Sequence, residues 1–589
     1  MPGSPLSPLL RTPAAALLLT AVLAVPSRTQ TSVPYPKTPT WKSVTGGYST
    51  GGAFVDLNRD GLPDLVAADG NDMRRQNLRV WYGRKGGFNL NPDWVSKDID
   101  YHGHLDTGDV NGDGWPDIVV SVYLGPNRFS SKGSVKLYLN DGKGALGTLP
   151  AWRPRDAFFS FSCALGDMDG DGDLDLAVAT GEAYRNPKDK DRIYRNDKGA
   201  FTPLPVWISG TASHSMDVAW CDVDGDGDLD LAFAGAKGPD TLYLNQGGKF
   251  STTPSWTSTD GGTRRNGNSL CFGDVDGDGL PDLAVSDNRQ LGGRGTFRVY
   301  RNLGKGSFTR TPWWESLYFE NGYVSGLGFV DYDRDGDLDL VGGGWWTRTG
   351  IFPNDGKTLA RSPIWKTTGT SVVEAIFFDD VNGDGLRRVK GEAHSTAPGR
   401  RVLRLRRGPI VSVEAVLADG KQLPRSGFAF HRASGSLSLK VWPSSSIRVD
   451  YTITDAPDLG ITNWDTSRGN FCFLRRPPFE ISLVPPPGKS FKPGSLIAWN
   501  EALEVTTANS QLLVYVAELD FPSAQGTWRM HAIPILLPGS LRIPKLPWAL
   551  PVPNPLPKNL LGSYLYRVRL LGPLTRTVSK ASFPFALVP

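Results

Sequence analysis

The sequence predicts an all-β protein: a seven-bladed β-propeller with a small β domain inserted in blade seven, followed by a C-terminal immunoglobulin-like β-sandwich. Three observations predict it. One acidic motif recurs seven times along the 589 residues. Four short strand-like runs accompany each copy. The 68 Gly, 46 Pro and 18 Trp punctuate the chain in a way that favours many short strands and turns over helices. At 39% hydrophobic and 21% charged residues the chain can bury cores. No heptad pattern supports a coiled coil, and four Cys exclude a disulfide scaffold.

Residues 1–24 read as a signal peptide. Arg11 is followed by an apolar run from Ala14 to Val25, too short for the ~20 residues that span a bilayer, and Val22-Leu23-Ala24 offers small residues for cleavage. The expectation is an exported protein with no membrane span, secreted or at the cell surface, the periplasm included. The absence of any Asn-x-Ser/Thr favours a bacterial source.

The propeller is expected over 37–386 plus 457–476. Its first landmark is an acidic loop: Asp56, Asn58, Asp60 and Asp64; Asp109, Asn111, Asp113 and Asp117; Asp167, Asp169, Asp171 and Asp175; Asp222, Asp224, Asp226 and Asp230; Asp274, Asp276, Asp278 and Asp282; Asp331, Asp333, Asp335 and Asp339; and a seventh copy at Asp380, Asn382 and Asp384. The first aspartates stand 53, 58, 55, 52, 57 and 49 residues apart. Pro-x-Trp keeps the same count at Trp41, Trp94, Trp152, Trp207, Trp256, Trp314 and Trp365. Between them lies a third run, ending at Asn140, Asn196, Asn245, Asn302 and Asn354 in the copies that close on Asn. Four strands per repeat of about 50 residues are a propeller blade rather than a solenoid rung.

The order of landmarks predicts how the ring closes. Trp41 has no acidic loop before it, and the last loop has no Trp strand after it, so Pro39–Trp41 should complete blade seven beside Asn470–Leu474. After Leu386 the Pro-Asp followed by Leu or Ile that ends the loop in three other copies is missing, and it appears instead at Pro457-Asp458-Leu459. An insert at 387–456 is therefore expected, with Asp458 supplied from beyond it. Alternating runs such as Val411–Val416 and Ile447–Tyr451 make the insert a small β domain. A Pro-rich linker then leads to 488–589, whose alternating runs suggest the sandwich.

Asp-x-Asp/Asn-x-Asp-Gly sets oxygen donors at alternate positions of a tight loop, with glycine at position six for the turn. A position-seven carbonyl and a ninth-position Asp complete a set suited to a hard cation of six to eight ligands, calcium more than magnesium. Six or seven ions are expected. Carboxylates gathered without a cation would repel one another.

These loops resemble the repeats called FG-GAP or VCBS, which build the propeller of integrin α subunits and of many secreted bacterial proteins. The resemblance covers roughly 37–476 and is tightest in the acidic loops. It implies calcium in the loops between the first two strands of each blade and ligand binding on the opposite face. It names no partner. The tail resembles bacterial immunoglobulin-like modules.

The formal net charge is +4, and seven divalent cations would make the surface decidedly basic. That suits an extracellular protein or an anionic carbohydrate as partner; nucleic acid does not suit an exported protein. The densest basic cluster is Arg400-Arg401 through Arg406-Arg407. Trp345, Trp346 and Arg348, with Tyr184, Arg185 and Trp464 in equivalent loops of other blades, are the candidate ligand residues on the face away from the acidic loops. The strand-four Trp are read as blade packing, and His102 and His104 as structural. Cys163, Cys221 and Cys271 are read as core residues, with a disulfide open in an oxidising compartment. No catalytic acid/base set is apparent. The favoured function is a non-catalytic, calcium-bearing adhesion or binding protein; the alternative is an extracellular polysaccharide lyase or hydrolase.

Overall fold

The computed structural model describes residues 33–475, apart from 45, 85–86, 186, 260–265, 398–399, 406–407 and 433, together with β-strands between 479 and 587. The signal-peptide reading lies outside the described residues. Helix among them is confined to two single 3-10 turns. None is long and apolar enough to cross a membrane. Residues 35–475 form one compact unit, and the strands beyond 476 belong to another.

The blades of the first unit are antiparallel sheets, each opened by an inner strand that runs into an acidic loop. Sheet three shows the pattern: Ser160–Gly166, Asp175–Thr180, Arg192–Tyr194 and Trp207–Ile208, paired in that order. The inner strands are Ser49–Val55, Tyr101–Gly108, Ser160–Gly166, Ser215–Cys221, Gly267–Gly273, Val324–Val330 and Ser371–Asp379. Each lies against the next, and the seventh lies against the first, which makes the arrangement a β-propeller. Small residues permit this crowding at the axis. A Cβ on Gly51 would sit 2.7 Å from the His104 Cα, and one on Gly326 2.9 Å from the Glu374 carbonyl oxygen.

The strand-four tryptophans hold each blade to its neighbour. The Trp94, Trp207, Trp256 and Trp314 indoles donate to the carbonyls of Leu146, Ser251, Phe308 and Leu359, each in the following blade. Trp152 instead packs on Tyr194 and Phe201 of blade three. The closing strand Trp41–Lys42 pairs antiparallel with Phe471–Phe473, Trp41 opposite Cys472, and the Trp41 indole reaches the Asn89 carbonyl of blade one. All four cysteines are free thiols.

Between Leu386 and Thr454 the chain builds its own two sheets. One contains Leu386–His394, Ile447–Thr454, Ile410–Ala418 and Lys421–Gln422, and the other Val402–Arg404, Ser436–Leu439 and Phe428–His431. Leu403, Val416, Leu437, Val449 and Tyr451 share its core. The two ends of this segment meet, since the Asp455 N–H donates to the Gly385 carbonyl at 2.9 Å. The second unit contains a three-stranded sheet (Phe479–Val484, Leu496–Val505, Leu541–Pro551) and a five-stranded one running from Ser490–Phe491 to Thr527–Leu537.

Candidate metal loops and the axial cluster

Every acidic loop uses the same bonds. The last residue of the inner strand pairs with the ninth-position Asp in all seven copies: Val55 with Asp64, Gly108 with Asp117, and so on to Asp379 with Asp458. The insert therefore leaves the register of blade seven untouched. One carboxylate oxygen of each ninth-position Asp accepts the N–H of loop position two, as Asp64 from Leu57 (2.8 Å) and Asp458 from Val381 (2.9 Å). The other accepts an N–H from the third strand's end: Asn196 for Asp175, Arg475 for Asp458. The first-position Asp accepts from the position-six glycine N–H at 2.8–3.2 Å in all seven loops. In six copies that glycine has φ between 88° and 100°, a left-handed turn that favours glycine. Gly385 of loop seven does not, because the insert leaves the loop there.

In loops three to six, one carboxylate oxygen each from positions one, three and nine lies within 4.8 Å of the others: Asp167, Asp169 and Asp175; Asp222, Asp224 and Asp230; Asp274, Asp276 and Asp282; Asp331, Asp333 and Asp339. These triads are close enough to hold a metal ion. Loops one, two and seven carry Asn at position three. Asn58 and Asn111 donate to Asp60 and Asp113 within their own loops. The fifth-position aspartates make a backbone bond of their own. Asp171, Asp226 and Asp278 stand outside the triads, each turning an oxygen to the N–H at position seven (2.9–3.0 Å). Burial first, and neighbouring carboxylates after it, push Asp64 and Asp117 up to about 7, Asp230 to about 8 and Asp339 to about 9.

The structure also assigns a role to the asparagine that closes the third strand. The side chains of Asn140, Asn196, Asn245, Asn302 and Asn354 each donate to the position-two carbonyl of the preceding loop (Leu57, Val110, Met168, Val223 and Val275) at 2.7–2.9 Å. In blade seven Arg475 takes this role, donating to the Tyr332 carbonyl at 3.0 Å. The recurrence of Asn was visible in the sequence; its partner, about 80 residues upstream, was not.

The candidate ligand residues do not form one site. Trp345 is 5% exposed, because its strand pairs with Val372 of the next blade, so its expected place on the open surface is corrected. Trp346 is half exposed and meets Trp464 and Tyr323, each at 6.2 Å between ring centroids. Trp464 also meets Tyr48 at 5.6 Å. Arg348 is held by Glu320 at 3.1 Å. Tyr184 and Arg185 belong to a separate group around Phe129. Within the densest basic cluster, Arg400 donates to the Gly225 carbonyl and Arg401 to that of Asp169.

A second polar constellation lies on the axis, where sequence reading found no acid/base set. Asp217 of blade four accepts from Ser162 (2.6 Å), Ser269 (2.9 Å) and the Leu270 N–H, and faces His104 Nδ1 at 3.4 Å. Asn268 donates to Ser325, which donates to Glu374 of blade seven at 2.7 Å. Burial raises Glu374 to about 7, with Ser325 and His104 opposing. Six separate blades contribute these groups, so no spacing in the sequence could announce them. His102 is structural: fully buried, it sits 2.9 Å from the Asp69 carbonyl, and burial pushes it down to about 3.

The pattern of the FG-GAP-like repeat family matches residues 40–120, 122–178, 182–233, 222–285 and 290–342, which together make up half the chain, and an FG-GAP repeat pattern matches 104–138. No curated protein matches. Among solved structures, the Dos1 propeller is 9% identical, with 59% of this chain and 91% of that one covered and a TM-score of 0.34. The Pseudomonas fluorescens alkylpurine DNA glycosylase AlkC, bound to DNA containing an abasic site analog, is 16% identical over 19% of this chain, with a TM-score of 0.15. The chain spans 31% of the length of that second structure.

Proposed function

The chain belongs to the FG-GAP-like repeat family, and from that premise we propose that it is an exported, calcium-binding β-propeller that serves adhesion or ligand binding rather than catalysis. One observation carries the reading: the same loop bonds recur in all seven blades and bring three carboxylates within 4.8 Å of one another in four of them. Such groups repel unless a cation joins them, and oxygen-only donors suit calcium. Calcium bound there would neutralise charge at the loop end of each blade, while this chain's own Asp and Asn side chains fix the loop backbone. The partner is proposed to be an extracellular protein or an anionic carbohydrate. The exposed Trp346, packed edge-to-face on Trp464, supports binding on the face away from the loops, since exposed aromatic rings suit sugar and protein contacts. The apolar run at residues 14–25 supports export. Calcium titration of the full chain with metal analysis tests the reading. Six or seven ions are expected, and a chain that binds none overturns it.

The axial cluster favours a second reading, a polysaccharide-active enzyme with His104, supported by Asp217, as base and Glu374 as acid. Turnover of uronate-bearing polysaccharides that is lost in Glu374→Gln would support it.

A further inference from the structure

The inserted β domain rests on some acidic loops and not on others. It leaves the propeller at loop seven. Arg432 pairs with Asp379 and also reaches the Phe54 carbonyl, and His431 meets Asp106. Its contacts with the acidic loops themselves nonetheless fall on loops two to four. The Arg401 and Val402 N–H groups both donate to the Gly227 carbonyl, at 3.1 and 2.8 Å. The Arg400 guanidinium donates to the Gly225 carbonyl at 2.6 Å, and that of Arg401 to the Asp169 carbonyl. Lys440 pairs with Asp173 at 2.8 Å, and Arg425 stands 3.5 Å from Asp109. Apolar contacts add to these polar ones: Val402 shares a core with Met168, Trp220 and Leu229, and Ala429 shares one with Val110 and Leu174.

The loop glycines record the same division. A Cβ on Gly170 would lie 2.2 Å from the Arg401 Cβ, on Gly172 2.4 Å from the Lys440 Cγ, and on Gly227 2.5 Å from the Arg400 Cγ. At Gly61, Gly277, Gly279 and Gly336, in loops one, five and six, it would meet nothing within 4 Å. The same holds at position four of loops two and four, Gly112 and Gly225, so the insert approaches loop four at position six and loop three at positions four and six.

The chemistry of these contacts decides the sign of their effect. In loops three and four the insert takes backbone carbonyls at positions three, four and six and the position-seven carboxylate of Asp173. It leaves the position-seven carbonyl and the first, third and ninth carboxylates free of its cations. In loop four the insert and a metal ion therefore do not compete for the same oxygens; in loop three the Ser438 hydroxyl of the insert also reaches the Asp167 carboxylate, a neutral donor that leaves that group's charge to the ion. Both demand one backbone shape: the metal by drawing the carboxylates together, the insert by bonding carbonyls that point outward only when the loop is closed. Loops three and four also carry five carboxylates each, more than one divalent ion neutralises, and Arg400, Arg401 and Lys440 meet that surplus.

We propose that the inserted domain is a cap whose seating is coupled to calcium binding in loops three and four, each strengthening the other, while loops five and six bind independently of it. The proposal rests on the calcium reading above. Linkage makes the coupling reciprocal, so it can be measured from either end.

The test uses the full chain in calcium. Asp224→Asn removes a loop-four carboxylate for which the structure gives no bond to the insert, and Asp276→Asn removes its counterpart in loop five. Each should lower calcium stoichiometry by one. Hydrogen exchange at the Arg401 and Val402 amides should speed up about tenfold or more in Asp224→Asn and stay at the wild-type rate in Asp276→Asn. From the other end, Arg400→Gln with Arg401→Gln, which leaves every loop carboxylate in place, should weaken two calcium sites severalfold and spare the rest. Equal exchange in both loop variants, with stoichiometry lowered in each, overturns the coupling and leaves the calcium reading standing. Unchanged stoichiometry in both variants overturns both. Tighter calcium binding in the double arginine variant shows antagonism and overturns the proposed sign.

Discussion

At the scale of single residues, position in the loop sets the role of each aspartate. The ninth-position Asp bonds two backbone N–H groups and also stands in a carboxylate triad, so its loss should damage both fold and metal site. The third-position Asp belongs to the triad without that double backbone role. Asp224→Ala should therefore lower calcium stoichiometry by one at modest cost in stability, whereas Asp230→Ala should lower the melting temperature clearly further; calorimetry with metal titration separates the two. Glu374 offers a test away from the loops. Its folded-state pKa of about 7 lies above its ordinary 4.5. Its contribution to stability is thus fully present below about 4.5 and is lost as pH rises through 7. A shift of that size corresponds to about 3 kcal/mol. Glu374→Gln should stabilise the protein at pH 8 and change little at pH 5, as thermal melts at the two values would show.

At the scale of elements, the closing strand and the insert carry the predictions. Truncation through residue 45 removes Trp41–Lys42 and leaves Phe471–Phe473 without its partner, so the shortened protein should aggregate in light scattering. Excising 387–456 joins Leu386 to Pro457 at ends that already meet, and the product should still fold and bind at Asp380 and Asp458; a titration with and without Asp458→Ala checks it. These elements were legible because they are written in repeats. Three landmarks in fixed order marked the strands, the missing Pro-Asp-Leu marked the insert, and the unmatched first Trp marked the closure. What escaped the sequence lacks local grammar. Trp345 looked like a surface residue because its loop is Gly-rich, but the next blade's inner strand extends to cover it. The bonds of Arg400 and Arg401 to loops three and four were not legible either, because nothing local reveals that the insert folds back over those loops. The axial cluster draws one or two groups from each of several blades, a distance that no motif bridges.

At the scale of the whole molecule, the buried loop carboxylates set the response to metal and acidity together. With metal removed, Asp64, Asp117 and Asp230, at about 7 to 8 against roughly 4 when unfolded, favour the protonated fold. The chelated protein should be most stable below about pH 4–5 and lose stability as pH rises through 7 to 8. Calcium displaces those protons, so its affinity should climb over the same range. At pH 7.5, melts in calcium and in chelator should differ by more than about ten degrees, since several sites add their binding energy to folding.

The pairing of Trp41 with Cys472 also sets a timetable for synthesis. A ribosome adding about 5–20 residues per second reaches the second partner roughly 20–90 s after the first. Throughout that interval the early blades form beside an unfilled edge, and the amino-terminal strand has nowhere to dock. Nascent chains released before Phe471 would carry two open edges, at blade one and at the last blade made. For this molecule, completing the final blade is the step that turns a sticky intermediate into a closed ring.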